Sequence, residues 1–267
     1  AYNLDNINAG KILFDLYEQT HDHRYKIAID TLREQLRRQP RTSEGGFWHK
    51  LIYPHQMWLD GIYMVSPFMA QYGITFNEPE LLTDAVNQIK LIARHTYDEE
   101  TGLFYHGWDE SKQQLWANEK TGTSPNFWSR SIGWYAAGVV DVLDFLPPDI
   151  EGRDSLLAIV NTLAKGIANY QDPQSKVWYQ VTDQGNREGN YLESSGSAFF
   201  VYFLFKSLNN NYIDQRYRQA ALDGFDGIIE NFIKEEEDGT YTITNCCAVA
   251  GLGGEKVYRD GSFEYYI

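Results

Sequence analysis

The chain reads His55-Gln56-Met57-Trp58-Leu59-Asp60-Gly61-Ile62-Tyr63-Met64 at the point that decides its fold. Pro54 precedes this stretch, and a proline costs little at the start of a helix, where its missing N–H would have no partner. Apolar residues then recur with helical spacing, so we expect a helix from about 56 to 72. The first turns of that helix carry the indole of Trp58 and the carboxylate of Asp60.

Asp60 has two interpretations at this stage. Aromatic neighbours can partly desolvate a carboxylic acid, which favours its protonated form and lets it donate a proton near neutral pH. Alternatively, the carboxylate only complements the positive end of the helix dipole. The rest of the chain must decide between these two roles.

Two helices followed by a short aromatic segment form a pattern that occurs four times along the chain. The predicted helices lie at about 6–20, 23–38, 56–72, 79–97, 128–146, 153–170, 194–208 and 214–233. The aromatic, β-like segments begin near residues 45, 102, 176 and 239. Long connections after every second helix are typical of an α/α toroid whose loops build one cleft. An open α-solenoid that binds another protein is the alternative.

The predicted fold class is therefore all-α, as an (α/α)6 toroid of helical hairpins. About four of the six hairpin pairs are visible in residues 1–267, which we interpret as a single catalytic domain. The chain begins without an initiator Met and ends abruptly after Phe263-Glu264-Tyr265-Tyr266-Ile267. We therefore expect segments to be lacking at both ends.

Composition excludes several classes of function. The net charge of −14 argues against binding to nucleic acid and to anionic membranes. No apolar run reaches the roughly 18 residues of a membrane span. Cys246 and Cys247 are adjacent, so we expect neither a structural disulfide nor a zinc site. The aromatic content of 15% is typical of sugar-binding clefts, although most of these rings are expected in the core.

Three polar residues are candidates because of where they lie relative to the predicted helices. Asp5 directly precedes the first helix, where it can also be a simple helix cap. His49 lies in the first aromatic loop and His106 in the second. A single loop histidine is usually solvated or packed, but two at equivalent positions of a repeat indicate a shared role.

Arg130 is a further candidate because it lies near the start of the fifth predicted helix, between Trp128 and Trp134. A cation in the first turn is unfavourable for the helix dipole, so we expect it to bind a ligand carboxylate or hydroxyl groups. The alternative is that it pairs with a buried structural acid. The chain contains no glycine-rich phosphate loop and no Gly-x-Ser-x-Gly motif. Paired carboxylates with aromatic residues remain, which are the usual equipment of glycosidic chemistry.

The chain resembles the unsaturated glucuronyl and rhamnogalacturonyl hydrolases of glycoside hydrolase family 105, and more distantly those of family 88. The similar stretches follow the family's order over nearly the whole chain. They are Leu4-Asp5-Asn6-Ile7-Asn8, Arg41-Thr42-Ser43-Glu44-Gly45-Gly46-Phe47-Trp48-His49-Lys50, Pro54-His55-Gln56-Met57-Trp58-Leu59-Asp60-Gly61, His106-Gly107-Trp108-Asp109-Glu110-Ser111, Phe127-Trp128-Ser129-Arg130 and Tyr191-Leu192-Glu193-Ser194-Ser195-Gly196-Ser197-Ala198.

This resemblance implies an (α/α)6 toroid that removes a terminal Δ4,5-unsaturated uronic acid from the products of polysaccharide lyases. The preferred substrate is an unsaturated galacturonyl group linked to rhamnose, as in the bacterial breakdown of pectic rhamnogalacturonan. By the same resemblance, Asp60 is the catalytic acid/base and Asp5 is its partner. The residues implied to bind substrate are His49, Trp58, His106, Trp128, Arg130 and Trp134. No metal and no cofactor is implied.

Two other functions stay open from the sequence. One is a conventional inverting glycosidase that cleaves saturated uronosides on the same fold. The other is an inactive carbohydrate-binding fragment. The expected partner is an oligosaccharide, the sequence does not fix the oligomeric state, and a cytoplasmic location is favoured with the periplasm as the alternative.

Overall fold

A computed structural model describes residues 2–253 and 259–267 of the protein. Most of the described chain is helical, which confirms the all-α prediction. The helices are α1 (Asp5–Asn8), α2 (Lys11–Thr20), α3 (His23–Arg38), α4 (Leu59–Thr75), α5 (Glu80–Thr96), α6 (Ser129–Leu143), α7 (Arg153–Asn169), α8 (Ser194–Asn209), α9 (Arg218–Phe232) and α10 (Phe263–Tyr266), with a short 3₁₀ helix at Gln215–Tyr217.

Four short strands form two antiparallel pairs. Strand β1 (Gln56–Trp58) pairs with β2 (Gly107–Asp109), so that Trp58 lies opposite Gly107. Strand β3 (Ile233–Glu235) pairs with β4 (Tyr241–Ile243). The first pair joins the loops of two different hairpins, whereas the second pair lies within one connection.

The helices pack as hairpins in two rows. Helices α4, α6 and α8 pack side by side in one row, and α1 packs against α4 at its edge. The second helix of each hairpin lies behind this row, where α5 contacts both α4 and α7, and α9 contacts α8. Helix α4 is buried along most of its length because neighbours cover it on several sides. The first helices of the hairpins all begin at the same end of the row, where the aromatic loops lie.

Three predicted boundaries differ from the structure. Residues 56–58 form strand β1 and not the first turn of a helix, because they pair with β2 and Trp58 has an extended backbone. Ala9 and Gly10 divide the first predicted helix into α1 and α2. The last predicted helix begins with the 3₁₀ turn before α9. Asp60 nevertheless lies in the first turn of α4, as predicted.

The contact between α4 and α6 depends on Gly138. A Cβ atom at this position would lie 3.1 Å from both the backbone nitrogen and the Cα of Tyr63. These are backbone atoms of a packed helix, so they cannot move aside as a side chain would. The two helices therefore approach as closely as they do because residue 138 has no side chain.

We expect Gly138→Ala to destabilise the protein although alanine is the better helix former. Crowding the two helices should lower the Tm by roughly 3–10 °C in a thermal melt followed by circular dichroism. Asp226→Ala, at an exposed position of α9, is the control and should leave the Tm nearly unchanged. An unchanged Tm for Gly138→Ala would show that the helix contact is not tight.

Candidate active site

One backbone hydrogen bond recurs at the start of each hairpin and brings the candidate residues together. In each case a backbone N–H near the start of the hairpin's first helix donates to a carbonyl in the loop that follows the hairpin's second helix. We call these four bonds the hairpin links. They are Leu4 N to His49 O (3.0 Å), Leu59 N to His106 O (3.0 Å), Ser129 N to Gln180 O (3.0 Å) and Ser194 N to Asn245 O (3.1 Å).

The residue that follows each donor carries a polar side chain at the end of the helix row. These residues are Asp5, Asp60, Arg130 and Ser195. The acceptors include both candidate histidines, so the prediction that His49 and His106 occupy equivalent positions of the repeat agrees with the structure. In the first two hairpins the repeat therefore sets an aspartate beside a loop histidine.

Asp5 begins α1 and is held by two cationic or potentially cationic groups. Its Oδ1 lies 3.2 Å from Nε2 of His49, and its Oδ2 lies 2.6 Å from Nζ of Lys50. Burial alone would raise the pKa of Asp5, but the contacts with His49 and Lys50 outweigh it and hold the pKa of this carboxyl well below its usual range. Asp5 is therefore ionised across the physiological pH range.

Asp60 has a different environment. The pairing of β1 with β2 and the hairpin link at Leu59 set it beside His106, whose Nε2 lies 3.1 Å from Asp60 Oδ2. The imidazole is fully buried, and its Nδ1 lies 2.7 Å from the hydroxyl of Tyr266. The Asp60 side chain keeps 14% of its surface accessible. It is thus a carboxyl group with one oxygen covered by His106 and part of its surface still accessible.

Trp58 lies between the two aspartate–histidine pairs. Its indole stacks on the His49 ring at 4.4 Å and meets the His106 ring edge-on at 5.6 Å. Tyr53 also stacks on the indole at 5.0 Å. The indole N–H of Trp58 donates to the side chain of Gln56. Only 6% of Trp58 is exposed, which favours a role in holding both histidines over that of an open platform for a sugar ring.

Trp128 is also buried and extends the same aromatic cluster. Its ring lies 4.9 Å from His106 and stacks on Tyr266 at 5.8 Å. Its N–H donates to Gln180 Oε1, the side chain of a hairpin-link residue. The Arg130 guanidinium lies 5.5 Å from the centre of the indole. Trp128 thus lies between His106 and Arg130 and contacts both.

Arg130 pairs with a buried acid, which was the alternative interpretation of its position. Its Nε donates to Ser195 Oγ at 2.6 Å, and its Nη2 contacts Glu193 Oε1 at 3.4 Å and donates to the Cys247 carbonyl. The Glu193 carboxylate is fully buried and also accepts from the backbone N–H groups of Gly196 and Cys247. The Arg130 side chain retains 14% exposure, so it is not fully enclosed by these partners.

Trp134 lies apart from the histidine cluster, one turn further along α6. It contacts Tyr63 of α4 at 4.6 Å and Phe199 of α8 at 4.3 Å between ring centres. All three rings are partly exposed. The structure therefore brings seven of the eight predicted residues into one continuous cluster and sets Trp134 deeper, on the wall formed by the helix row.

Sequence reasoning missed three residues that hold this site together. Lys50 directly follows His49 and pairs with Asp5. Glu193 caps the N-terminus of α8, and an acid before Ser194-Ser195-Gly196 is a recognisable capping signal. Tyr266 reaches His106 from the far end of the chain, and no local pattern indicates this contact.

The described residues contain neither a cluster of metal ligands nor a membrane-spanning helix. Nowhere in residues 2–253 and 259–267 do three His, Cys, Asp or Glu side chains gather in a way that would hold a metal ion. In those same ranges, every helix is too short or too polar to cross a lipid bilayer.

Comparison with solved structures places the fold. A family 105 glycoside hydrolase of C. acetobutylicum superimposes with a TM-score of 0.96 at 44% identity, over 99% of this chain and 73% of that one. A possible family 105 member from Salmonella enterica gives a TM-score of 0.84 at 26% identity, over 100% of this chain and 66% of that one. These families have helical toroid folds, which confirms the predicted fold class.

Curated relatives and a family model agree with the structural matches. "Protein Atu3128" of Agrobacterium fabrum is 37% identical over 209 residues, which are 76% of this chain and 88% of that protein. "Unsaturated rhamnogalacturonyl hydrolase YesR" of Bacillus subtilis is 28% identical over 236 residues, which are 82% of this chain and 63% of that protein. The model of Glycosyl Hydrolase Family 88 matches residues 1–267. The chain therefore belongs to Glycosyl Hydrolase Family 88 and is a glycoside hydrolase.

Proposed function

We propose that the protein removes a terminal Δ4,5-unsaturated uronic acid from an oligosaccharide by adding water to its C4=C5 double bond. The observation that carries this proposal is the unequal environment of the two aspartates. Asp5 is held ionised by His49 and Lys50, whereas Asp60 contacts His106 alone among these groups and stays partly accessible. One group is thus suited to remain a carboxylate and the other to carry and return a proton.

The reaction needs only one proton donor that later becomes a base. Asp60 donates its proton to C4, and the electrons of the double bond form the new C–H bond, which leaves an oxocarbenium ion at C5. Water adds to C5 and gives a proton back to Asp60. The resulting hemiketal opens by loss of the C5–O5 bond, and the free hemiacetal at C1 then releases the remaining sugar. One water is consumed, and no covalent glycosyl-enzyme is formed, unlike in the retaining glycosidases.

The fixed charge of Asp5 supports this cycle. A permanent carboxylate at the site stabilises a developing positive charge on the sugar ring. Lys50 and His49 hold Asp5 in place and offset its charge.

The substrate carboxylate needs a local cation because the protein carries a net charge of −14. Arg130 is the candidate, since its Nε and Nη2 are used by Ser195, Glu193 and Cys247 while Nη1 makes no hydrogen bond to the described residues. A preference for rhamnose in the next position, as in pectic rhamnogalacturonan, is supported by the printed name of the Bacillus subtilis relative. A relative from Formosa agariphila is named "Unsaturated 3S-rhamnoglycuronyl hydrolase".

A direct assay separates this function from the other two open functions. The enol ether of an unsaturated uronate absorbs in the ultraviolet, and hydration of its double bond removes that absorbance. We expect the protein to abolish the band of an unsaturated galacturonyl-rhamnose disaccharide. Cleavage of a saturated uronoside with the band of the unsaturated sugar unchanged would instead identify an inverting glycosidase. Binding without any turnover would identify a carbohydrate-binding protein.

Asp60→Asn should abolish turnover while the protein stays folded. An amide cannot donate and take back the proton, and loss of such a group costs about 10²–10⁴-fold in rate. Asp84→Asn is the control, since Asp84 lies on α5 and pairs with Arg41 instead of a candidate site residue. If Asp60→Asn keeps a rate within threefold of the parent, Asp60 is not the acid/base.

Asp5→Asn should destabilise the protein in a manner that depends on pH. The pKa of Asp5 is depressed in the folded protein relative to its ordinary value of 3.8, so its charge stabilises the fold above pH 3.8 and this contribution is lost as the pH falls below that value. The difference in Tm between parent and variant should therefore be largest at neutral pH and shrink in acid. A difference that stays constant down to pH values well below 3.8 would contradict the assigned ion pair.

Arg130→Lys should lower both the Tm and kcat/KM. Lysine keeps the charge, but it cannot bind Ser195, Glu193 and a substrate carboxylate together, because it lacks the planar fork of guanidinium donors. Arg187→Lys is the matched control, at an exposed arginine that pairs with Glu264. If Arg130→Lys lowers only the Tm and the folded fraction has parental kinetics, the arginine is purely structural.

A further inference from the structure

We propose that Tyr266 is a positioning residue that fixes the tautomer of His106 and thereby decides which oxygen of Asp60 carries the catalytic proton. This inference rests on the acid/base role proposed for Asp60. It concerns the chain Tyr266–His106–Asp60, in which each side chain contacts the next through a single pair of atoms.

The Tyr266 side chain is fixed from several sides. It ends the short helix α10, which is capped by Ser262, whose hydroxyl accepts from the backbone N–H of Tyr265. The Gln180 side chain donates to the Tyr266 carbonyl at 2.9 Å, and the Trp128 indole stacks on the phenol ring. Gln180 accepts the hairpin link at α6 and Trp128 directly precedes its donor Ser129, so the same backbone arrangement that starts this helix also anchors the tyrosine.

The Tyr266 hydroxyl donates to His106 and does not accept from it. Burial raises the pKa of Tyr266 well above its ordinary value, so the phenol keeps its proton. A buried hydroxyl proton needs an acceptor, and Nδ1 of His106, 2.7 Å away, is its partner among the described residues. Nδ1 therefore contributes a lone pair, and a neutral imidazole in that state carries its proton on Nε2.

The Nε2–H of His106 then faces Asp60. Nε2 and Oδ2 lie 3.1 Å apart and both atoms are buried. Within residues 2–253 and 259–267, neither atom has another hydrogen-bond partner, and their own contact is not well aligned. Catalytic hydrogen bonds are often poorly aligned before substrate binds and tighten in the complex. Nε2 and Oδ2 are therefore each other's nearest available hydrogen-bond partner.

This arrangement decides where the acid proton lies. Once the contact tightens and Oδ2 accepts from Nε2–H, Oδ2 has no room for a proton of its own along that direction. Oδ2 is buried, so the 14% of the Asp60 side chain that stays accessible belongs to its other atoms. The acid proton therefore lies on Oδ1, on the side of the carboxyl group that a substrate can reach.

The other tautomer would be unproductive. If Nδ1 carried the proton, the lone pair of Nε2 would face Oδ2 and draw the Asp60 proton onto that buried oxygen. The proton would then point at His106 and away from C4 of the sugar. Tyr266 prevents this by occupying the lone pair of Nδ1, and it does so without touching the substrate.

Nitrogen NMR of the ¹⁵N-labelled imidazoles tests the inference without substrate. The signals of His106 are identified by their loss in His106→Gln. In the parent protein we expect an acceptor-type Nδ1 and a protonated Nε2. In Tyr266→Phe we expect both nitrogens to shift toward a mixture of tautomers, with a fall in kcat of roughly 10- to 100-fold, as for lost partners of ligand histidines. KM should change little, because Tyr266 does not contact the sugar.

Tyr265→Phe is the matched control. It removes the neighbouring phenol hydroxyl of α10, which accepts from the N–H of Gly251 and not from His106. This variant should leave the His106 signals as in the parent. The inference is overturned if parental His106 carries its proton on Nδ1, a result that needs no variant to fold. It is also overturned if Tyr266→Phe leaves the tautomer unchanged, or if Tyr265→Phe shifts it equally.

The failure of the proposed function would look different. If the parent protein leaves unsaturated disaccharides intact but the His106 tautomer depends on Tyr266, then the positioning role stands and the proposed reaction is wrong. If the parent hydrates the double bond and the tautomer does not depend on Tyr266, the reaction stands and the positioning role is wrong.

Discussion

The hairpin links are the constraint on which the cleft depends. Each is an ordinary backbone hydrogen bond, but it joins the first turn of a helix to a loop that follows only after the next helix has returned. A helix N-terminus has free N–H groups that need partners, and here the loop carbonyls supply them. Because the donors stand at the same place in each of these four hairpins, the residue after each donor lies at the same end of the helix row.

The same geometry yields two carboxyl groups with unlike chemistry. Both aspartates follow a link donor and both face a link histidine, yet only Asp5 has a lysine beside it. Trp58 packs against both histidines, so the two pairs share one rigid wall. The two carboxyl groups thus differ in the third partner, a lysine in one hairpin and a tyrosine behind the histidine in the other.

The repeat, the eight long helices and the candidate polar residues were accessible from the sequence because they depend on local periodicity and on turn residues. The assignment of residues 56–58 to a helix was wrong because a short apolar run fits the spacing of a helix and that of a strand equally well. Only the pairing with β2 makes these residues a strand. Arg130 could be identified as unusual from its place at a helix start, but its partner Glu193 lies in another hairpin. Tyr266 could not be found at all, since its contact with His106 joins distant parts of the chain and depends on complete tertiary packing.

The hairpin links also have a consequence for the order of folding. A helix of this chain can form and pack locally, but its link closes only when the loop beyond the next helix has docked. During synthesis the N-terminal hairpins emerge first, so they acquire helical structure before their polar side chains have partners. Asp60 meets His106 only after the loop beyond α5 has docked. His106 meets the hydroxyl of Tyr266 only after α10 has docked. A nascent chain is therefore helical before the contact between Tyr266 and His106 has formed, because that contact needs α10 in place.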